Sequence, residues 1–247
     1  AFLALCLAVW GPPVAAQTTP TGATAQMNGF GRALDVDTDR VFVGESQNIH
    51  TPGRVYLYER DGDSWAETTY LEAEDGTVGD GFGSSLDATG EHLVVGAPSS
   101  NAVYLFRSGA DGWTQAARLT SADSTSNFGQ SVVLTDSRLF VGTETTVSMT
   151  EGDTLTSGAV HIFEQQNGQW QEATVLRSET VGSDAGFASS LLVSGDHLLA
   201  TAPQHKSGAV VAFRSRQSSG WTETQTITTG GLSESARFGS AIGKAGE

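Results

Sequence analysis

Two residue types are nearly missing: the 247 residues contain a single cysteine, Cys6, and two lysines, Lys206 and Lys244. One cysteine excludes an internal disulfide scaffold and any thiolate-rich metal site. With 13 Lys and Arg against 28 Asp and Glu, the formal net charge is -15. Such a surface repels a phosphate backbone, so nucleic acid is excluded as a partner. The same acidic, lysine-poor surface suits a salty habitat, where counterions screen its self-repulsion. No apolar run approaches the roughly 20 residues that a membrane helix needs, so no membrane span is expected in this portion. G-x-S-x-G is absent, and no glycine-rich phosphate loop follows a strand and opens a helix. No catalytic and no cofactor-binding residue is therefore assigned.

What the sequence has in quantity is glycine, 30 residues, placed as punctuation between short alternating runs. In residues 81–120, GFGSSLDATGEHLVVGAPSSNAVYLFRSGADGWTQAARLT, the runs 84–88, 92–96, 102–107 and 113–119 alternate apolar with polar residues. That period of two marks half-buried antiparallel strands. Four such strands in sequence make one meander, named here a, b, c and d.

The unit recurs. Phe-Gly, or Phe-Ala, stands at Phe30, Phe82, Phe128, Phe187 and Phe238, with spacings of 52, 46, 59 and 51 residues. Each complete copy carries a later tryptophan: Trp65, Trp113, Trp170 and Trp221. A four-stranded sheet cannot cover both its own faces, so a repeat of this period implies stacked units. The expected fold is all-β, a β-propeller of four-stranded antiparallel blades. It has four complete blades plus the start of a fifth, a partial ring. Blades are expected at about 30–81, 82–127, 128–186, 187–237 and 238–247, the last incomplete. Residues 1–16 read as a partial signal peptide, with an apolar run and a small-residue cleavage site, and 17–29 as a flexible leader. Secretion, or display at the cell surface, follows from that reading.

In a meander the a-b and c-d turns lie at one end of the sheet, and the b-c loop and d-to-a link at the other. The long insertions, 46–52, 72–81, 143–157 and 177–186, therefore share one face of the disc. Variable loops on a repeated scaffold are where recognition sits. Candidate partner-binding residues are Asn48 and His50 in the first unit, and Met149, Glu151 and Asp153 in the third. Strand a is expected innermost, because it opens with small residues such as Ser84 and Ser85. The tryptophan of strand d is expected between adjacent sheets.

The histidines do not form a metal set. His92 and His197 recur at the start of strand b, and His161 takes the place of Tyr56 and Tyr104, which marks all three as structural. His205, like His50, sits in a b-c loop. Acids in the d-to-a links, Asp75, Asp80, Asp123, Glu179, Asp184 and Glu234, read as turn formers and solubilising groups; the competing reading is an anionic ring.

The series Phe82-Gly83, Val95-Gly96-Ala97-Pro98, Ala102-Val103-Tyr104-Leu105-Phe106 and Trp113 resembles the FG-GAP repeat of the integrin alpha-chain propeller and its bacterial relatives. The resemblance spans roughly residues 30–247. Gly44-Glu45-Ser46, Gly142-Thr143-Glu144 and Thr201-Ala202-Pro203 depart from Gly-Ala-Pro. Many members bind calcium through an Asp-rich a-b loop, which the resemblance brings into question here. The a-b connections are too short to converge several oxygen ligands. Asp35, Asp37 and Asp39 alternate along a strand and read as solvated acids. No metal and no cofactor is expected. The resemblance implies a non-catalytic binding or adhesion module for a protein or glycan ligand, not an enzyme. The alternatives are a propeller enzyme of hydrolase or lyase type, with its site over the central channel, or a purely structural surface domain. Polar, pKa-perturbed residues converging at the axis would favour the enzyme.

Overall fold

A computed structural model gives the fold. It describes residues 28–243 apart from 38, 48–49, 122–126, 149–153, 217–219 and 234, so the expected signal peptide and nearly all of the leader lie outside the described residues. Four sheets, each of four antiparallel strands, follow one another along the chain. The first comprises β1 (Asn28–Asp37), β2 (Arg40–Gln47), β3 (Arg54–Asp61) and β4 (Ser64–Leu71). The second comprises β5 (Ser85–Thr89), β6 (His92–Ala97), β7 (Ala102–Gly109) and β8 (Gly112–Thr120). The third runs β9 (Ser131–Leu134), β10 (Arg138–Ser148), β11 (Thr154–Gln166) and β12 (Gln169–Leu176). The fourth runs β13 (Leu191–Ser194), β14 (His197–Ala202), β15 (Ala209–Arg216) and β16 (Gly220–Thr228). There is no α-helix among the described residues. These are the four expected blades. Phe238 begins another copy by forming a parallel bridge with Gly208.

Each sheet pairs in chain order, a to b to c to d, and the first strands of successive sheets approach one another along the axis, β1 to β5 to β9 to β13. Strand a is therefore innermost. A bulge interrupts every c-d pairing at the same place, after Leu57, Leu105, Ile162 and Ala212. One extra residue in strand d sharpens the twist there. Thr68 and Thr224 occupy it in the first and fourth blades, and their hydroxyls donate back to the carbonyls of Leu57 and Ala212.

The two ends of each sheet differ as the meander requires. On one, the amides of Arg60, Ser108 and Ser215 donate to the a-b turn carbonyls of Asp39, Glu91 and Asp196. On the other, b-c and d-to-a segments bond to each other: Ser100 N to Asp80 O, Asn127 N to Glu144 O, and Gln204 N to Ala185 O. One expectation is corrected. Residues 143–157 are not a long loop, because β10 and β11 stay paired from Thr143↔Ala159 out to Ser148↔Thr154. The Thr- and Ser-rich sequence lacks the apolar alternation that signals a strand, yet its β-branched residues suit one.

Apolar clusters fill the three seams between blades. Phe42, Val55 and Leu57 meet Phe82, Leu93 and Tyr104; Val94 and Leu105 meet Phe128 and Leu139; Phe140 and Ile162 meet Leu198 and Phe213. The tryptophan of each later blade packs on the seam in front of it. Trp113 stands edge-on to Phe42 at 5.4 Å, and Trp221 to Phe140 at 5.5 Å, while Trp170 packs on the middle cluster.

The Phe-Gly dipeptide has a steric reason. Its second residue takes a left-handed backbone, with φ of 87° at Gly83, 94° at Gly129 and 67° at Ala188, which turns its carbonyl into the preceding blade. There it lies where a Cβ on strand b would be, 2.1 Å from that position at Gly44, 2.0 Å at Gly96 and 2.5 Å at Gly142. No side chain fits in that space, so the glycine of strand b and the Phe-Gly of the next blade are one device. Ser85 and Ser131 reinforce it, donating to the same carbonyls, of Gly129 and Ala188, at 2.7 Å.

Candidate functional site

The five residues expected to bind a partner fall differently. His50 is exposed in the first b-c connection, at the loop-bearing end. Asn48, Met149, Glu151 and Asp153 lie outside the described residues. The hairpin formed by β10 and β11 continues past the point where β9 and β12 stop pairing with it, at Gly142 and Val160. It is the longest projection of paired backbone in the four sheets. The d-to-a link between the first and second blades is built by its acids. Asp80 is buried and accepts from the amides of Thr77 and Phe82, and Asp75 accepts from the Tyr104 hydroxyl at 2.8 Å and pairs with Arg118 at 3.0 Å. Both shape the link, which agrees with the turn-forming reading.

His161 sits edge-on to Phe128 and 3.3 Å from Glu172, a packed position in place of a tyrosine. His197 is exposed and contacts Asp196 at 2.8 Å. Among the described residues no three of His, Cys, Asp and Glu come together to hold a metal ion.

Of the three acids expected to be solvated, Asp39 is exposed, but the two on the first inner strand, Asp35 and Asp37, are not. Asp35 and Asp37 are half-buried while Leu34 and Val36 face solvent. The Asp35 carboxylate accepts from the amide of Ala88, in the next inner strand, at 2.7 Å. Asp37 pairs with Arg40, whose guanidinium also donates to the Gly90 carbonyl of the second blade at 2.7 Å. One blade further on the arrangement repeats: Asp87 accepts from the amide of Leu134 at 2.6 Å. Asp35 and Asp87 are equivalent residues, paired with Phe42 and Val94 of their own strands b. Burial pushes the Asp87 carboxyl up to about 7; the Leu134 amide opposes this and the charge of Asp35 adds to it. Sequence reasoning missed this inner pair, because only the neighbouring blade reveals what each carboxylate touches.

A second polar group lies within the first blade. Glu45, 2% exposed, replaces the alanine of Gly-Ala-Pro, and its carboxylate accepts from the Tyr56 hydroxyl at 2.7 Å. Burial, with help from Glu45, pushes that phenol up to about 12. Arg54 pairs with Glu72 at 2.7 Å and stacks over Tyr70 at 4.5 Å.

Successive four-stranded sheets around an axis of inner strands define a β-propeller. More narrowly, residues 65–110 match the FG-GAP repeat, so this propeller carries that repeat. No curated protein matches the sequence. Solved structures resemble the chain at low identity. A candidate 6-phosphogluconolactonase from Bacteroides fragilis has 13% identity over 81% of this chain and 71% of its own, with a TM-score of 0.46. The periplasmic gluconolactonase of Pseudomonas aeruginosa has 16% identity over 79% of this chain and 71% of its own, with a TM-score of 0.41. The Aleuria aurantia lectin, in complex with a fucosylated sugar, has 10% identity over 81% of this chain and 63% of its own, with a TM-score of 0.46. The expectation that the chain is not an enzyme is corrected here. Lactonases stand among the folds it resembles, so a propeller frame gives no ground for setting catalysis aside. No helix among the described residues is long and apolar enough to cross a membrane.

Proposed function

We propose that this chain is a recognition propeller, secreted or displayed at the cell surface, that grips a protein or glycan through the face built by its b-c connections and d-to-a links. The asymmetry of the disc supports this reading. One end closes in short turns tied to each other through Asp39, Glu91 and Asp196, whereas the other carries the extended β10–β11 hairpin. A rigid scaffold with its variation on one face is how loop-borne recognition is built. The test replaces residues 145–157 by a two-residue turn, which keeps the Glu144 carbonyl that holds the Asn127 amide, and screens both forms on immobilised glycans and cell-surface protein extracts. Loss of capture with unchanged melting is the expected result; undiminished capture contradicts the face assignment.

The inner carboxylates favour a second reading, a hydrolase or lyase with its site at the axis. A carboxyl that titrates near neutrality is suited to general acid or base work, and Asp87 is one. Turnover of any ester or lactone in a substrate panel that vanishes in Asp87→Asn, while the hairpin replacement leaves it intact, would establish this reading over the first. Equal rates in the wild type and Asp87→Asn would remove it.

A further inference from the structure

Asp35 and Asp87 stand one blade apart, each at the same position of an inner strand, and each takes a backbone amide of the following inner strand. The third blade breaks the series. Its equivalent residue is Val133, paired with Phe140 as Asp35 is with Phe42 and Asp87 with Val94. Two of the three seams are therefore pinned at the axis by a carboxylate, and the third is not.

We propose that Asp87 makes the seam between the second and third blades a pH-sensitive joint, closed while its carboxyl is neutral and loosened when it ionises. The geometry carries the proposal. Asp87 is half-buried between two inner strands. From the side of the first blade it feels the like charge of Asp35, and β9, Ser-Val-Val-Leu, brings to it the Leu134 amide and no charged side chain. Opposite it on β6 stands Val94. A single amide bond is the compensation available to a carboxylate that burial and a neighbouring anion both disfavour.

The sign follows from linkage. The folded carboxyl titrates near 7 against an ordinary value of 3.8, so closure binds a proton that the opened seam releases. Stabilisation from this group is complete below about pH 4 and is lost as the pH rises towards 7. Any opening that hydrates Asp87 is accordingly favoured at pH 8 over pH 5. This reading goes beyond the two functions above and requires no ligand.

The test is hydrogen exchange of the Leu134 amide in the 247-residue chain, followed by NMR between pH 5 and pH 8 and corrected for intrinsic exchange. Protection should fall over that range by a factor on the order of ten to a hundred. The inner amide of Val193, at the seam served by Val133, should stay constant. Asp87→Asn keeps an acceptor but cannot ionise, so its Leu134 protection should be flat with pH. Asp87→Val, which copies the third blade, should also be flat and guards against a defect peculiar to the amide. A flat profile in the wild type, or the same slope in wild type and both variants, would overturn the proposal.

Discussion

The second blade and the first carry equivalent apolar residues in opposite circumstances. Phe82 is fully buried, and Leu86, Ala88 and Trp113 pack against the cluster in front of them. Their equivalents in the first blade, Phe30, Leu34, Val36 and Trp65, are 40%, 59%, 58% and 45% exposed. The sheets have the same strand order and the same c-d bulge, and the one pairing difference, an irregularity between Phe30 and Leu34 in the first blade, does not account for the exposure of Val36 and Trp65. The neighbour does: the second blade has a blade in front of it, and the first has none among the described residues. In an array of this kind a residue's contribution to stability belongs to the seam, not to the sheet that bears it.

That comparison can be strained at several points. The largest effect should come from Gly96→Ala. Its Cβ would fall 2.0 Å from the Gly129 carbonyl, and forcing the second seam apart should cost about 4 kcal/mol or more in chemical denaturation. Gly90→Ala, whose Cβ meets nothing within 4 Å, should cost about 1 kcal/mol for its positive φ alone. Next come the tryptophans. Trp113→Ala should lose about 3 kcal/mol and Trp65→Ala less than about 1 kcal/mol; equal losses in melting experiments would mean that the seam is not what sets their value. Tyr56→Phe removes the donor that holds the buried Glu45 carboxylate and should cost ~1–3 kcal/mol, which would show that the first blade's exposed side still has an ordered polar centre. The last effect is electrostatic and depends on pH. Asp87→Asn should leave melting unchanged near pH 4 and raise it clearly at pH 8, because the wild-type carboxyl, held up to about 7 in the fold, loses its stabilisation as the pH rises from about 4 to 7.

Much of the frame was legible in the residues. Alternation marked the strands, the Phe-Gly spacing marked the blades, and the tryptophans lie at the seams as expected for Trp113, Trp170 and Trp221. Three things were not legible, for one physical reason. The glycine slot in strand b needs a carbonyl from the next blade, the Asp35 and Asp87 contacts need the next inner strand, and the exposure of Trp65 depends on a partner sheet. Each is set by a neighbour tens of residues away in sequence, which a local pattern does not encode. The hairpin beyond Thr143 was hidden differently. Its strands project past their neighbours in the sheet, and the Thr- and Ser-rich residues there carry no apolar period to read. Of the candidate binding residues, His50 alone lies among the described residues, exposed in the first b-c connection.

The seam account is tested most directly by labelling the tryptophan rings with fluorine and measuring the solvent isotope shift of each 19F resonance, assigned by single Trp→Phe replacements. Trp113, Trp170 and Trp221 should show small shifts and Trp65 a clearly larger one. Four equal shifts, or the smallest at Trp65, would contradict the claim that each blade is buried by the one before it.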